Sequence, residues 1–380
     1  MNMDIATNAG MEQALASKLR ELLSTIPWLH DWQIKRVAGS PDPGYDIEAI
    51  LPFPSGNTTL AVECKRELRP STFHAWSQQR SSRFRHVKSV IPVLAMPFVS
   101  PRIGELCVQH GWGWYDLAGN CHIDVPNTIY LDRHGNESSY SQSRPSANLS
   151  TREAARVIRA LLAPENCGKR WTQRSMETHF GSRNPRVPEP SLGLVNKVVK
   201  HLRDEAFIEV SPDGGFLVRE PEKLLVAWRD VYRFDRHKRR NYFTLMQDRQ
   251  LRDALGRLDL DAGGFAAYAA FSAADFQAPH VRQPKTWVYV DAEFTERLEE
   301  LTEAKRVDTG DNLVILIPDD PGVFYLADGG TVGEHRLAST NPVQTYVDLY
   351  HCGGRGEEAA EALLEQNLRP RWSRNEFHER

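Results

Sequence analysis

The sequence predicts a multidomain chain, α/β at its N-terminal end and α+β beyond, and three observations carry that prediction. Helix-like and strand-like segments alternate up to about Leu131. A polar stretch rich in Ser and Asn then breaks the pattern at 133–150. Three amphipathic helices and a glycine turn between short apolar segments follow it. At 380 residues there is length for two or three domains, each with its own core. The expected division is 1–132, a linker at 133–150, then 151–220 and 221–380.

In the first segment, MEQALASKLRELLSTI sets Leu15, Leu19, Leu22, Leu23 and Ile26 at helical spacing, predicting an opening amphipathic helix. WQIKRVAG, YDIEAILPF and TTLAVECK are strand candidates, with turn signals at SPDPG and PSGN between them. PSTFHAWSQQRSSRFRHV reads as a helix with Ser71 or Thr72 near its start, SVIPVLAMPF as a buried strand and SPRIGELCVQHG as a helix. WGWYDLAGNCHIDV reads as a closing strand pair around a LAGN turn, with Trp112 and Trp114 in the core. Asp116, Asn120 and His122 resemble a ligand group there, but the turn accounts for them.

After the linker, STREAARVIRALLA has Ser150 or Thr151 as its cap and Glu153 in its first turn. KRWTQRSMETHFG is a second helix. The third, PSLGLVNKVVKHLRDEAF, carries Leu194, Val195, Val198, Val199 and Leu202 on one stripe. IEVSPDGGFLV reads as a hairpin around Asp213, Gly214 and Gly215. Three helices and a hairpin predict a winged helix-turn-helix over 151–220. Beyond it, NLVILIP and TWVYVD are strand-like, AEFTERLEELTEA and GEEAAEALLEQNL helix-like, and DAGGFAAYAAFSAAD is read as helix.

The composition, 41% hydrophobic and 26% charged, is that of a globular chain and not of a disordered or fibrous one. No apolar run approaches the ~20 residues of a membrane helix, and MNMDIATNAGMEQAL lacks a basic segment leading into an apolar one. A cytoplasmic protein without membrane contact is expected. The five cysteines are scattered, without a C-x-x-C pair, which argues against a disulfide framework and a structural zinc site. Net charge is only -3, yet residues 65–88 hold Lys65, Arg66, Arg69, Arg80, Arg83, Arg85 and Lys88 against the single acid Glu67. A phosphate backbone responds to that local field and not to the total.

The segment LAVECKREL sets Glu63 and Lys65 two residues apart, hence on the same face of a strand. An antiparallel partner strand beginning at Asp46 would bring a second carboxylate close. Two carboxylates with the Cys64 carbonyl and water can hold Mg²⁺ or Mn²⁺, with Asp46 and Glu63 as the metal-binding residues. Such a cation acidifies a bound water and offsets charge at a phosphoryl centre, and Lys65 would orient that water or neutralise the scissile phosphate. The plainer reading is a solvated Glu–Lys pair and a turn-capping aspartate. Asp followed by E-x-K in this strand order resembles the signature of the PD-(D/E)XK nuclease superfamily. That resemblance implies a restriction-endonuclease-like domain over 1–132, with Asp46, Glu63 and Lys65 catalytic and Glu21 as an additional acidic group.

For the winged helix, the reading surface would carry Ser191, Asn196, Lys197, Lys200 and His201. Lys169, Arg170 and Arg174 would lie near the DNA backbone, and Arg80, Arg83 and Arg85 would add contacts from the first domain. A protein-interaction role for such a module is the alternative.

YDLAGNCHI (115–123), SLGLVNKVVKHL (191–202), LLVAWRDVYRF (224–234) and STNPVQTYVDLYHCGGRGEEAAEALL (339–364) together resemble the AbiEi-type antitoxins and regulators of type IV toxin-antitoxin systems. The resemblance implies a C-terminal α+β antitoxin domain, repression of the protein's own promoter, and a nucleotidyltransferase-like toxin as partner. The long N-terminal segment departs from that plan. Two functions are therefore expected to compete: a DNA-binding regulator, or a Mg²⁺-dependent DNA endonuclease in phage defence or DNA processing.

Overall fold

The computed structural model describes residues 7–37, 45–54, 56–84, 89–137, 147–180, 187–262, 265–327 and 337–375. They fall into two compact units, Met1–Arg144 with Asp204–Ala206, and Pro145–Arg203 with Phe207–Arg380. Both mix helix and sheet.

The first unit contains α1 (Asn8–Ser24), β1 (Gln33–Arg36), β2 (Ile47–Phe53), β3 (Gly56–Cys64), α2 (Pro70–Phe84), β4 (Val90–Met96), α3 (Pro101–Gln109), β5 (Gly113–Asp116), β6 (Cys121–Val125) and β7 (Ile129–Arg133). The order follows the hydrophobic pattern as far as the closing pair β5–β6, and β7 is a further strand that the pattern does not predict. The seven strands form one sheet in chain order, antiparallel except for the parallel pairs β3–β4 and β4–β5. Alternation along β4 sorts its side chains between two cores, Val93 and Ala95 into one and Leu94 and Met96 into the other. Leu60, Val62 and Cys64 pack with Leu15, Leu19 and Leu23 of α1. The opposite core is built from Phe73, Leu94, Ile103, Trp112 and Trp114, under α2 and α3. At Gly104 a Cβ would come 2.9 Å from the Trp114 ring, so glycine is what lets α3 lie against β5.

The second unit contains α4 (Arg152–Leu162), α5 (Gln173–Glu177), α6 (Leu192–Asp204), β8 (Ile208–Val210), β9 (Phe216–Val218), α7 (Pro221–Arg229), β10 (Lys238–Phe243), α8 (Asp248–Ala262), β11 (Ala266–Tyr268), α9 (Ala270–Gln277), β12 (Thr286–Val290), α10 (Thr295–Thr302), β13 (Lys305–Arg306), β14 (Leu313–Ile317), α11 (Pro342–His351), α12 (Gly356–Leu363) and α13 (Arg369–Asn375). Thr151 caps α4 by accepting the Ala154 N–H, with Glu153 in the first turn, as its sequence predicts. β8 and β9 pair antiparallel through a turn at Gly214, which has φ +82°. A five-stranded sheet runs β11-β12-β14-β10-β13, with the two-residue β13 on its edge. A single hydrophobic core includes Val157 and Ile158 of α4, Val195 and Val198 of α6, and Val314 and Ile315 of β14. The helices of 151–220 and the sheet beyond them therefore share their interior.

The stretch DAGGFAAYAAFSAAD departs from its helical prediction. Its described part is the end of α8, the strand β11 and the start of α9, whose first residue, Ala270, has φ +43°. Small residues carry little intrinsic pattern, and here antiparallel pairing of Ala266, Ala267 and Tyr268 with Val290, Tyr289 and Val288 decides the matter. A π-helical turn, Leu364–Leu368, joins α12 to α13.

Candidate functional site

In the first unit the strand register assembles the carboxylates. Ile47 pairs with Val62, so Asp46, one residue before β2, meets the end of β3. Its N–H donates to the Val62 carbonyl at 2.8 Å, and its Oδ2 accepts the Cys64 N–H at 2.7 Å. On the other edge of β3, the Lys65 N–H donates to Ala95 of β4 at 2.9 Å. Glu63 is thus held between an antiparallel and a parallel neighbour.

Glu63 is 4% exposed. Its Oε1 lies 2.9 Å from Lys65 Nζ and 3.0 Å from an Arg80 guanidinium nitrogen. The pairing with Lys65 is the one the i, i+2 spacing requires, and burial makes it more than a solvated surface pair. The second carboxylate oxygen, Oε2, is buried and has no hydrogen-bond partner. These groups border a cavity of about 320 Å³ whose charged lining is Glu12, Asp46, Glu63, Lys65, Arg66 and Arg80. Three carboxylates face three cations.

Glu12, on α1, is the acidic residue the sequence reading missed. Burial raises its carboxyl above the usual range, the Asp46 charge raises it further, and Arg36 pulls it back. Glu21 is elsewhere: it pairs with Lys18 at 2.9 Å on an exposed part of α1 and does not line the cavity. Nine residues at about 100° each put Glu12 and Glu21 on opposite faces of the helix. The usable signal was proximity to the apolar stripe, since Glu12 follows the buried Met11. Cys64 also lines the cavity, but burial first, then the Asp46 carboxylate, keeps its thiol well above the ordinary range. It is a poor nucleophile there.

Arg80, expected as a DNA contact, spends its guanidinium on Glu63. The Arg83 side chain and all of Arg85 lie outside the described residues. Asp116 and Asn120 form a closed turn: Asp116 accepts from the Asn120 backbone and side chain at 2.9 Å each, and from Val99 N–H at 3.2 Å. His122 pairs with Asp132 at 3.0 Å. Among the described residues no set of three or more His, Cys, Asp and Glu side chains is grouped to hold a metal.

In the second unit, α6 buries Val195, Val198, Val199 and Leu202 and turns Asn196, Lys197 and Lys200 to solvent. Ser191 is exposed at its start, where its Oγ accepts the Leu194 N–H at 3.3 Å, and His201 is half-buried. Lys169, Arg170 and Arg174 are exposed. The Lys169 ammonium sits 3.7 Å above the Trp171 ring, and Arg170 pairs with Asp213 in the β8–β9 turn. Gln173 on α5 donates to Asn196 Oδ1 at 3.2 Å, tying the two helices on their polar side.

Comparison with known families adds one match. Residues 217–369 fit the family model described as transcriptional regulator, AbiEi antitoxin, type IV TA system. The C-terminal region of the chain is AbiEi-like. The match takes in LLVAWRDVYRF and STNPVQTYVDLYHCGGRGEEAAEALL, but neither YDLAGNCHI nor SLGLVNKVVKHL, and it spans less than half of the sequence. No curated protein and no solved structure matches the chain. Among the described residues no helix is long and apolar enough to cross a membrane.

Proposed function

We propose that the protein is a DNA-binding transcriptional regulator of the AbiEi antitoxin class, reading duplex DNA through α6. The observation that carries this reading is the AbiEi match at 217–369, directly after three helices and a hairpin in winged-helix order. The exposed Ser191, Asn196, Lys197 and Lys200 supply hydrogen-bonding and cationic groups on one face of α6. Lys169, Arg170 and Arg174 flank it for backbone phosphates. A nucleotidyltransferase-like toxin is the partner this class implies. The test is binding of the full chain to its own upstream DNA across a salt series, with Lys197→Ala plus Lys200→Ala. A weaker complex with a shallower salt slope supports the reading, and an unchanged slope removes α6 from the interface.

A second reading, a metal-dependent DNA endonuclease of PD-(D/E)XK type, is favoured by the convergence of Asp46, Glu63 and Lys65 on one cavity. Asp46, Glu63 and the Cys64 carbonyl are hard oxygen donors, and they fit a Mg²⁺ or Mn²⁺ that keeps several waters. When bound, the cation would acidify water and offset phosphoryl charge. Of the chain's own groups, Lys65 neutralises a phosphate oxygen or positions the attacking water, and Arg80 holds Glu63 in place. Supercoiled, linear and single-stranded DNA, each with Mg²⁺, Mn²⁺ or EDTA and beside Lys65→Ala, decides it. Metal-dependent cuts lost in the variant establish cleavage, and binding without cuts leaves this unit as an added DNA contact.

A further inference from the structure

The cations that neutralise Glu63 also stand in the way of a metal. Lys65 Nζ, at 2.9 Å, and an Arg80 guanidinium nitrogen, at 3.0 Å, both lie on the same carboxylate oxygen, Oε1. The other oxygen, Oε2, is buried. A divalent cation approaching Glu63 therefore meets two positive charges already seated on Oε1, and like charges at such distances repel strongly away from bulk water. One of the two has to leave before the carboxylate can take a metal.

The two are not equally placed to do so. Lys65 follows the end of β3 by one residue, and its backbone is fixed to β4. Arg80 reaches in from α2, and its seat is incomplete: one nitrogen meets Glu63, while Nε is buried without a hydrogen-bond partner. Its side chain is 21% exposed and lines the cavity. A guanidinium held through one nitrogen gains from an anion that accepts two of its N–H groups side by side, as a phosphate does.

Formal charge points the same way. The lining sets Glu12, Asp46 and Glu63 against Lys65, Arg66 and Arg80, which balance when all six are ionised. A divalent cation alone would leave an excess of two positive charges, and two phosphates of a nucleic-acid backbone would cancel it. Metal and phosphate are each better bound in the presence of the other.

We propose that Arg80 is a gate at this cavity, covering Glu63 Oε1 until a nucleic-acid phosphate draws it away and opens the carboxylate to a divalent cation. The inference rests on the endonuclease reading and adds its regulation. Its consequence is that the chain takes up metal weakly until nucleic acid arrives, and completes the site on the strand to be cut.

The test is Mn²⁺ binding to the full chain, read by electron paramagnetic resonance, with and without a short phosphorothioate duplex that resists cleavage. The duplex's own Mn²⁺ uptake is measured and subtracted. In the wild type the duplex tightens Mn²⁺ binding by at least roughly ten-fold, and Mn²⁺ tightens the duplex by the same factor. Arg80→Gln binds Mn²⁺ without DNA about as tightly as the wild type does with it, and loses most of the coupling. Arg66→Gln removes an equal charge from the same lining and keeps the coupling. Circular dichroism and melting temperature establish that both variants are folded, and the wild-type comparison needs neither. Equal Mn²⁺ affinity with and without the duplex in the wild type, or an equal gain in the two variants, overturns the gate. Metal-dependent cuts in ordinary DNA would then leave the endonuclease reading standing. No Mn²⁺ bound by any of the three proteins, with or without the duplex, overturns both.

Discussion

Two buried ion pairs, one in each unit, treat their charge in opposite ways. In the second unit, Arg156 and Asp320, both under a tenth exposed, form an ion pair whose remaining hydrogen-bonding capacity is used. Arg156 also donates to the Pro188 carbonyl at 3.1 Å, and Asp320 accepts the Gly322 N–H at 2.8 Å. In the first unit, Glu63 is equally buried but borders a cavity, leaves one oxygen unpartnered, and is paired with two cations that retain partial exposure. The first pair lies in a sealed core, and the second lies beside a cavity.

The comparison can be broken most forcefully at Arg156. Arg156→Ala leaves Asp320 charged and unpaired, at a cost of about 3–5 kcal/mol. For a unit of this size that lowers the melting temperature by roughly 6–20 °C, read by calorimetry. Replacing both members, Arg156→Met with Asp320→Leu, is expected to recover most of the loss. If the double variant is no better than the single, the pair does more than satisfy itself.

Glu63→Gln should behave in the reverse way. Lys65 and Arg80 can turn to water, so the stability loss is about 1–2 kcal/mol. Metal-dependent cleavage, if the second reading holds, falls by at least roughly 100-fold. A large melting shift with activity retained would place Glu63 with Arg156 as architecture.

Lys197→Ala plus Lys200→Ala lies between these cases, touching neither core. We expect about ten-fold weaker DNA binding near 150 mM salt and a slope of log K against log salt reduced by about 1.8. Fluorescence anisotropy over a salt series reads both, and melting temperature should not move.

The smallest effect concerns pH. Burial lifts the Asp348 carboxyl to about 7, against hydrogen bonds from Tyr289, Gln344 and Tyr232 and the charge of Arg159, which all pull it down. Burial, then the Arg159 charge, lowers His237 to about 4, opposed by Asp319, Asp320 and Asp235. Between about pH 4 and 6.5 the folded state holds an extra proton at Asp348 and lacks one at His237, so the two slopes cancel. Above 6.5 Asp348 acts alone, and stability falls as pH rises to about 7. In Asp348→Asn the His237 contribution is unmasked, and stability should rise by about 1.4 kcal/mol per pH unit between pH 4.5 and 6. A wild-type melting temperature that already climbs over that range would contradict this balance.

What could be read in the sequence was what depends on short range. The pairing of Glu63 with Lys65 follows from strand periodicity, and the approach of Asp46 follows from the tight β2–β3 connection that fixes the register. The pairing of Arg80 with Glu63 was not legible, because a basic helix shows its charge in sequence but not which of its cations turns inward. For Glu12 the only signal is its place beside the apolar stripe of α1, which does not say what that face meets. The Arg159–Gln344 hydrogen bond and the Tyr232 and Tyr289 contacts to Asp348 join residues far apart in the chain, and no local pattern announces them. The family match covers 217–369 in the C-terminal region and does not include the strands that carry Glu63.

The brevity of β13 has a consequence of its own. It pairs with only Tyr242 and Phe243 of β10, and among the described residues no strand pairs with Lys238, Arg239 and Arg240 on that side. An open flank is a template on which another copy could add a strand, and stacked copies would set those cations against their counterparts. Cations on an edge strand are a known means of discouraging such strand addition.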